Sequence, residues 1–226
     1  PLTPQGILGG GDELLSEDYS IVAYYWTRTL PCPNPQCKGT VPLFRQTWLR
    51  KKPSGYVALK PVPDMAKRVM RFRVVEASTE SALEFDPSEG SAGSSTVCPF
   101  CQTALDGPYV RHYGDEKGFG QQLMCVIALN PDGTGKRYLV DETLAVVEAE
   151  HQAESELRAV KIEQELGPSS LDEEIPPTGN AGLATGTSYL YGIRTFRQAF
   201  TPRQRYILLT MACEVRRAHR EMLGQG

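Results

Sequence analysis

The order of patterns along this 226-residue chain predicts an α+β fold, with an antiparallel β region first and two helices in the C-terminal third. Three observations carry that prediction. Short β-branched and aromatic runs, broken by Pro, Gly, Asn and Asp, fill residues 20–140. Helical periodicity begins only after Asp141, and four of the six cysteines sit in two tight pairs inside the β-rich part. With 40% hydrophobic and 23% charged residues and a net charge of −3, the chain is neither disordered throughout nor collagen-like. Its best apolar run, Ile21–Trp26, falls far short of the roughly 20 residues that cross a bilayer, and no secretory signal opens the chain. A cytoplasmic protein without a membrane partner is expected. Because it starts at Pro1, it reads as a processed product or a piece of something longer.

The elements follow in order. Residues 1–19, Gly-rich and Pro-containing, read as a loose leader, and residues 20–140 as one β domain. Ile21–Thr29 predicts a strand running into the first cysteine pair. Val41–Lys52, Gly55–Val62 and Lys67–Val75 read as three strands separated by Pro53-Ser54-Gly55 and Pro61-Val62-Pro63-Asp64. Residues 76–96, rich in acid and Ser, predict a solvated loop. Strands are expected near Tyr109–Tyr113, Gln122–Leu129 and Lys136–Val140, the last two joined by the turn Asn130–Gly135. A long helix over 141–166, with Asp141 as N-cap and Gly167-Pro168 as stop, carries an apolar seam of Val146, Ala149, Ala153, Leu157 and Val160. Residues 167–187 read as a loop, and 188–226 as a strand and a C-terminal helix. That helix opens with Thr201-Pro202-Arg203-Gln204, a capping box in form.

The cysteine pairs are Cys32-Pro33-Asn34-Pro35-Gln36-Cys37, followed by Lys38-Gly39, and Cys98-Pro99-Phe100-Cys101. A turn with two to four residues between cysteines presents two thiolates to one ion, and two such turns on neighbouring hairpins make a zinc ribbon. Gly39 is expected to let the backbone curl so that amides approach the Cys37 sulfur. The 60 residues between the pairs exceed the usual spacing of about 12–20, and predicted strands must return the chain to the site. Reduced structural thiols, an iron–sulfur centre and a rubredoxin-like iron site are the alternatives. Four cysteines close the coordination shell, so a structural zinc is expected rather than a catalytic one. Cys125 and Cys213 sit in apolar surroundings and read as core thiols.

Charge is distributed unevenly. Between Val41 and Val75 there are nine basic residues, Arg45, Arg50, Lys51, Lys52, Lys60, Lys67, Arg68, Arg71 and Arg73, against the single acid Asp64. Phe44, Trp48, Tyr56 and Phe72 are interleaved with them. Basic side chains meet phosphates and rings stack on bases, so a nucleic acid, DNA or RNA, is the expected partner, with Trp48 and all of these cations except Lys60 as candidate contacts. Alternation places Lys67, Val69, Arg71 and Arg73 on one face. The competing reading pairs the cations with the acidic loop at 76–89 or with the Glu-rich helix. A second group, Arg194, Arg197, Arg203, Arg205, Arg216, Arg217 and Arg220, suits forked phosphate or carboxylate binding but reads as the solvated face of a helix.

No catalytic constellation is visible. Gly9-Gly10-Gly11-Asp12 and Gly133-Thr134-Gly135-Lys136 lack the context of a phosphate loop, and His112, His151 and His219 share no spacing with a nucleophile.

The run Val22–Thr29 into Cys32–Cys37, then Val41-Pro42-Leu43 and Arg45–Lys51, resembles the middle of large prokaryotic adenine-specific DNA methylases that contain a zinc ribbon, the group named for its DUF1156 N-terminal region. The likeness continues through Cys98–Cys101, Gly118-Phe119-Gly120-Gln121, Arg137-Tyr138-Leu139, Tyr191-Gly192-Ile193 and Phe200–Gln204, covering roughly residues 20–224. The family's Gly-rich S-adenosylmethionine loop and its Asp/Asn-Pro-Pro-Tyr motif are not found in this chain; Pro176-Pro177 follows Ile175 in an acidic loop. The resemblance therefore implies an insert between the two methylase halves, with S-adenosylmethionine bound only by the parent protein. Its expected role is to hold DNA while a base is unstacked. A structural or protein-interaction scaffold without DNA contact, using the Val146–Val160 seam, is the alternative.

Overall fold

The computed structural model describes residues 20–90, 95–130, 132–140, 142–167, 170–175 and 193–224. The leader, Gly9–Asp12, the Asp141 cap, Pro176-Pro177 and the start of the strand expected at 188 lie outside them. The chain divides into two compact units, Pro1–Ala145 and Val146–Gly226.

The first unit is built on two antiparallel sheets. Strand β1 (Ser20–Pro31) pairs on one side with β2 (Thr40–Leu43) and on the other with β8 (Gly120–Leu129), which also pairs with β9 (Lys136–Leu139). The second sheet is a meander of β3 (Trp48–Lys52), β4 (Gly55–Asp64) and β5 (Val69–Ala77). Val41–Lys52 is therefore two strands in different sheets rather than one, with Phe44–Thr47 turning the chain between them. Alternation gives each sheet an apolar face, and these faces meet: Leu59, Met70 and Phe72 pack against Met124 and Cys125, with Tyr25, Phe44 and Tyr138 around them.

A small hairpin, β6 (Thr96–Val97) and β7 (Ala104–Leu105), carries the second cysteine pair. After it comes a helix, α1 (Gly107–Lys117), where the sequence suggests a strand at Tyr109–Tyr113. The decisive signal lies upstream: the Asp106 carboxylate accepts the Tyr109 amide at 2.9 Å and Pro108 supplies a preset φ at the helix start. Val110 and Gly114, four apart, form its buried side. The acidic segment is also more ordered than its composition suggests. β5 continues to Ala77, a 3₁₀ turn spans Glu80–Leu83, and Leu83 is 2% exposed.

In the second unit, α2 (Glu142–Leu166, which begins just inside the first unit) and α4 (Pro202–Gly224) flank a 3₁₀ turn at Ser170–Asp172 and a short helix α3 (Phe196–Ala199). Gly167, at φ 78°, stops α2. The capping box of α4 forms as expected: the Thr201 amide donates to Gln204 Oε1 at 2.9 Å, and the Gln204 amide to Thr201 Oγ1 at 3.4 Å. The Val146–Val160 seam does lie along one side of α2, but that side faces solvent: Val146 is 60% exposed and Leu157 68%. The covered side carries ion pairs beside Ala159, which is 0% exposed. Glu148, 2% exposed, takes Arg203 at 2.5 Å and Gln152 at 2.7 Å, Glu156 takes Arg205, and Arg197 joins Glu163 at 2.9 Å to Asp172 at 2.6 Å. Three of the arginine-only group, Arg197, Arg203 and Arg205, are therefore partly covered carboxylate binders rather than members of an exposed helix face.

Removing one partner of a buried pair leaves the other charge desolvated, which costs about 3–5 kcal/mol. Glu148→Ala is accordingly expected to lower the urea midpoint of helix loss, followed by far-ultraviolet circular dichroism. Glu154→Ala, which removes an exposed pair with Arg158, is expected to shift it by less than about 1 kcal/mol.

Candidate metal centre

Two turns of similar construction bring the cysteines together. In the first, between β1 and β2, the Cys32 amide donates to the Gly39 carbonyl at 2.8 Å and the Cys37 amide to the Asn34 carbonyl at 3.0 Å. In the second, between β6 and β7, the Cys98 amide donates to the Thr103 carbonyl and the Gln102 amide to the Cys98 carbonyl, both at 2.9 Å. Each turn leaves the residue after its trailing cysteine in the left-handed region, Lys38 at φ 54° and Gln102 at φ 60°. The 60-residue gap is spanned by the three-stranded sheet, and the Arg68 carbonyl, just before β5, accepts the Thr40 amide at 2.9 Å beside the first turn.

All four sulfur atoms lie within 4.8 Å of one another, and Cys32, Cys37 and Cys98 are buried. Cys32 Sγ is 3.5 Å from Cys101 Sγ, and Cys37 Sγ is 3.7 Å from Cys98 Sγ; none is in a disulfide. A tetrahedron of sulfurs around a metal with bonds near 2.3 Å has edges of about 3.8 Å. The four cysteines can therefore hold a metal ion.

The electrostatics suit a cation. Burial pushes the Cys32 thiol up to about 12 and raises that of Cys37. The Thr103 hydroxyl, 3.2 Å from the Cys101 sulfur, and then the Thr103 amide lower Cys101 to about 6. Thr103 thus favours a thiolate at one corner of a cluster in which Cys32 and Cys37 resist charge, and an enclosed cation would relieve that resistance. Arg68 reaches the Phe100 carbonyl at 3.4 Å, placing a guanidinium beside a centre that four thiolates and a divalent ion would leave negative.

Gly39 is required for a reason other than backbone curl. The left-handed residue is Lys38, whereas a Cβ on Gly39 would meet Phe100 Cδ2 at 2.4 Å and Cys37 Sγ at 3.2 Å. The buried Phe100 ring seals the turn at that position. Thr103 and Phe100 are the contributions that the cysteine spacing alone does not reveal. Of the two remaining cysteines, Cys125 is buried in the core and pushed up to about 12 by that burial, and Cys213 is partly covered in α4.

The candidate DNA contacts are dispersed. Arg45, Lys52 and Arg73 are exposed. Arg50 is folded over its own hairpin, donating to the Gly55 and Ser54 carbonyls at 3.0 and 3.4 Å. Lys51 pairs with Glu80 at 2.7 Å and lies 4.8 Å above the Trp48 ring, whose Nε1 donates to Ser88 Oγ at 3.1 Å. Lys67 sits in the turn before β5 rather than on the strand face, 3.9 Å from Glu142. Arg68 belongs to the cysteine turn as above, and Arg71 pairs with Asp64 at 2.9 Å and with Glu142. The acidic segment and the start of α2 thus take up Lys51, Lys67 and Arg71. Among the described residues no helix is long and apolar enough to cross a membrane. No protein-family model, curated protein or solved structure matches the chain.

Crowding a methyl group against Phe100 and the Cys37 sulfur is expected to cost about 1–3 kcal/mol. Gly39→Ala should weaken metal retention against a chelator at unchanged helix content, while Thr103→Ser, which keeps the hydroxyl beside Cys101, retains the metal.

Proposed function

We propose that the chain is the zinc-bearing insert of a prokaryotic adenine-N6 DNA methylase, a cytoplasmic module that contacts DNA and helps present it to the S-adenosylmethionine-dependent halves of the parent protein. One observation carries the reading: four thiols from two hairpins converge at tetrahedral spacing, with their sulfurs largely enclosed. Zinc is favoured because a closed set of four cysteines suits its structural sites. The metal would supply a rigid cross-link between hairpins, with Cys32, Cys37, Cys98 and Cys101 as ligands.

Two of the stretches that carry the family likeness lie side by side. The Trp26–Thr29 run pairs with Gly120–Leu123 across β1 and β8, and a Cβ on Gly120 would meet Thr29 Oγ1 at 2.5 Å. Phe200–Gln204 forms the entry to α4. For DNA contact, the support is narrower than the sequence suggests, resting chiefly on the exposed cations Arg45, Lys52 and Arg73.

The alternative is a protein-interaction scaffold without DNA contact, favoured by the exposed Val146, Leu157 and Val160 on α2.

Purified chain should hold one zinc per molecule by mass spectrometry under native conditions, and lose it on Cys98→Ser. Its affinity for duplex DNA should fall with salt at a log–log slope of about −0.9 per phosphate contacted, and the Lys52→Glu/Arg73→Glu double variant should weaken binding about tenfold and flatten that slope. Salt-independent or undetectable binding, with Leu157→Glu abolishing the activity of the parent protein, would replace this reading with the scaffold.

A further inference from the structure

Two exposed carboxylates occupy the cations of the first unit in a way the fold does not need. Glu80 pairs with Lys51 while both side chains stay about half exposed, at 49% and 51%. Glu142, 67% exposed in the first turn of α2, reaches both Lys67 and Arg71. Asp64 behaves differently: it is 19% exposed, accepts the Ala66 and Lys67 amides at 3.1 and 2.9 Å, and so builds the β4–β5 turn while holding Arg71. The segment that carries Glu80 is itself fixed. Leu83 is buried, the Thr47 amide donates to the Pro87 carbonyl at 2.7 Å, Trp48 bonds Ser88, and Lys60 lies over the Phe85 ring at 5.8 Å. The backbone stays in place while the Glu80 side chain is free to exchange.

We propose that Glu80 and Glu142 are resident counter-ions that stand where nucleic-acid phosphates would bind, so that Lys51, Lys67 and Arg71 engage a phosphate only by exchanging a carboxylate for it. This rests on the DNA-contact reading above and adds a threshold to it. Weak, non-specific contact by the three cations is thereby disfavoured about two- to fivefold per pair, and Arg71 keeps its Asp64 partner after the exchange. Lys51 is the most informative of the three because its ammonium also lies over Trp48. Displacing Glu80 leaves that cation and ring together at the surface, a combination that suits phosphate beside an unstacked base.

The test measures duplex affinity of the full, zinc-loaded chain by fluorescence anisotropy across a salt series. Glu80→Gln and Glu142→Gln should each raise affinity about two- to fivefold, the scale of an exposed ion pair, and steepen the salt slope. Glu154→Gln changes net charge equally on an exposed turn of α2 in the second unit and should have a smaller effect. The rise on Glu80→Gln should vanish in a Lys51→Gln background, because the exchange has then lost its cation. A rise that persists there, or one no larger than that of Glu154→Gln, overturns the counter-ion role and leaves DNA contact standing. Absence of DNA binding in the wild type and in every variant overturns both.

Discussion

The first unit depends on four sulfur atoms being brought within 4.8 Å of one another from hairpins separated by 60 residues. β6 and β7 are two residues each and pair only with one another among the described strands. Such a hairpin has no stability of its own in water. By analogy with a disulfide, cross-linking a loop of about 60 residues removes roughly 4 kcal/mol of freedom from the unfolded chain. A metal held there would do so through four ligands, and its binding energy would become folding energy because the ligands converge only in the native state. Thr103, Phe100 and Gly39 then appear as consequences. One hydroxyl favours a thiolate, one ring excludes water, and one missing side chain leaves room for that ring.

Electrostatics divides the basic residues by what the chain can reach locally. A cation two or three residues from a turn finds a backbone carbonyl, as Arg50 does at Gly55. A cation facing the acidic segment or the start of α2 finds a carboxylate, as Lys51 and Arg71 do. Exposed pairs of this kind are worth about 0–1 kcal/mol, so they contribute little to the fold yet neutralise the surface field. The positive balance of residues 41–75 therefore overstates the field a nucleic acid would meet. Lys60 and Arg73 face one another across β4 and β5, and that like-charge opposition is tolerable only near solvent.

What was legible in the sequence was whatever is decided within a few residues. The cysteine turns, the Thr201–Gln204 box, the Gly167 stop and the strand between Ile21 and Thr29 all follow from local chemistry. Misreadings arose where a pattern had two solutions. Tyr109–Tyr113 has strand-like composition, but the Asp106 cap and Pro108 settle a helix whose inward positions are Val110 and Gly114. Val41–Lys52 has strand composition throughout, yet it must leave one sheet and enter another. On α2 the periodicity was real, but spacing alone did not say which way the seam faces: it lies at the surface, while Ala159 and the paired Glu148 are covered. Hydrophobic periodicity alone cannot recognise that case.

That arrangement bears on how the second unit holds together. Glu148, Glu156 and Glu163 on α2 are met by Arg203, Arg205 and Arg197, one arginine for each acid, with Asp172 sharing the last. A buried ion pair contributes little net stability compared with apolar packing of equal volume, but it penalises any arrangement that leaves a member unpaired. Sliding α4 by one turn would strand the Glu148 carboxylate, which is already dehydrated, without its guanidinium. The pairs therefore fix register more than they add stability, and α2 does not depend on its outer apolar stripe for its place in the unit. Val146, Leu157 and Val160 remain at the surface because the contact that holds the helix is made by the opposite, charged side.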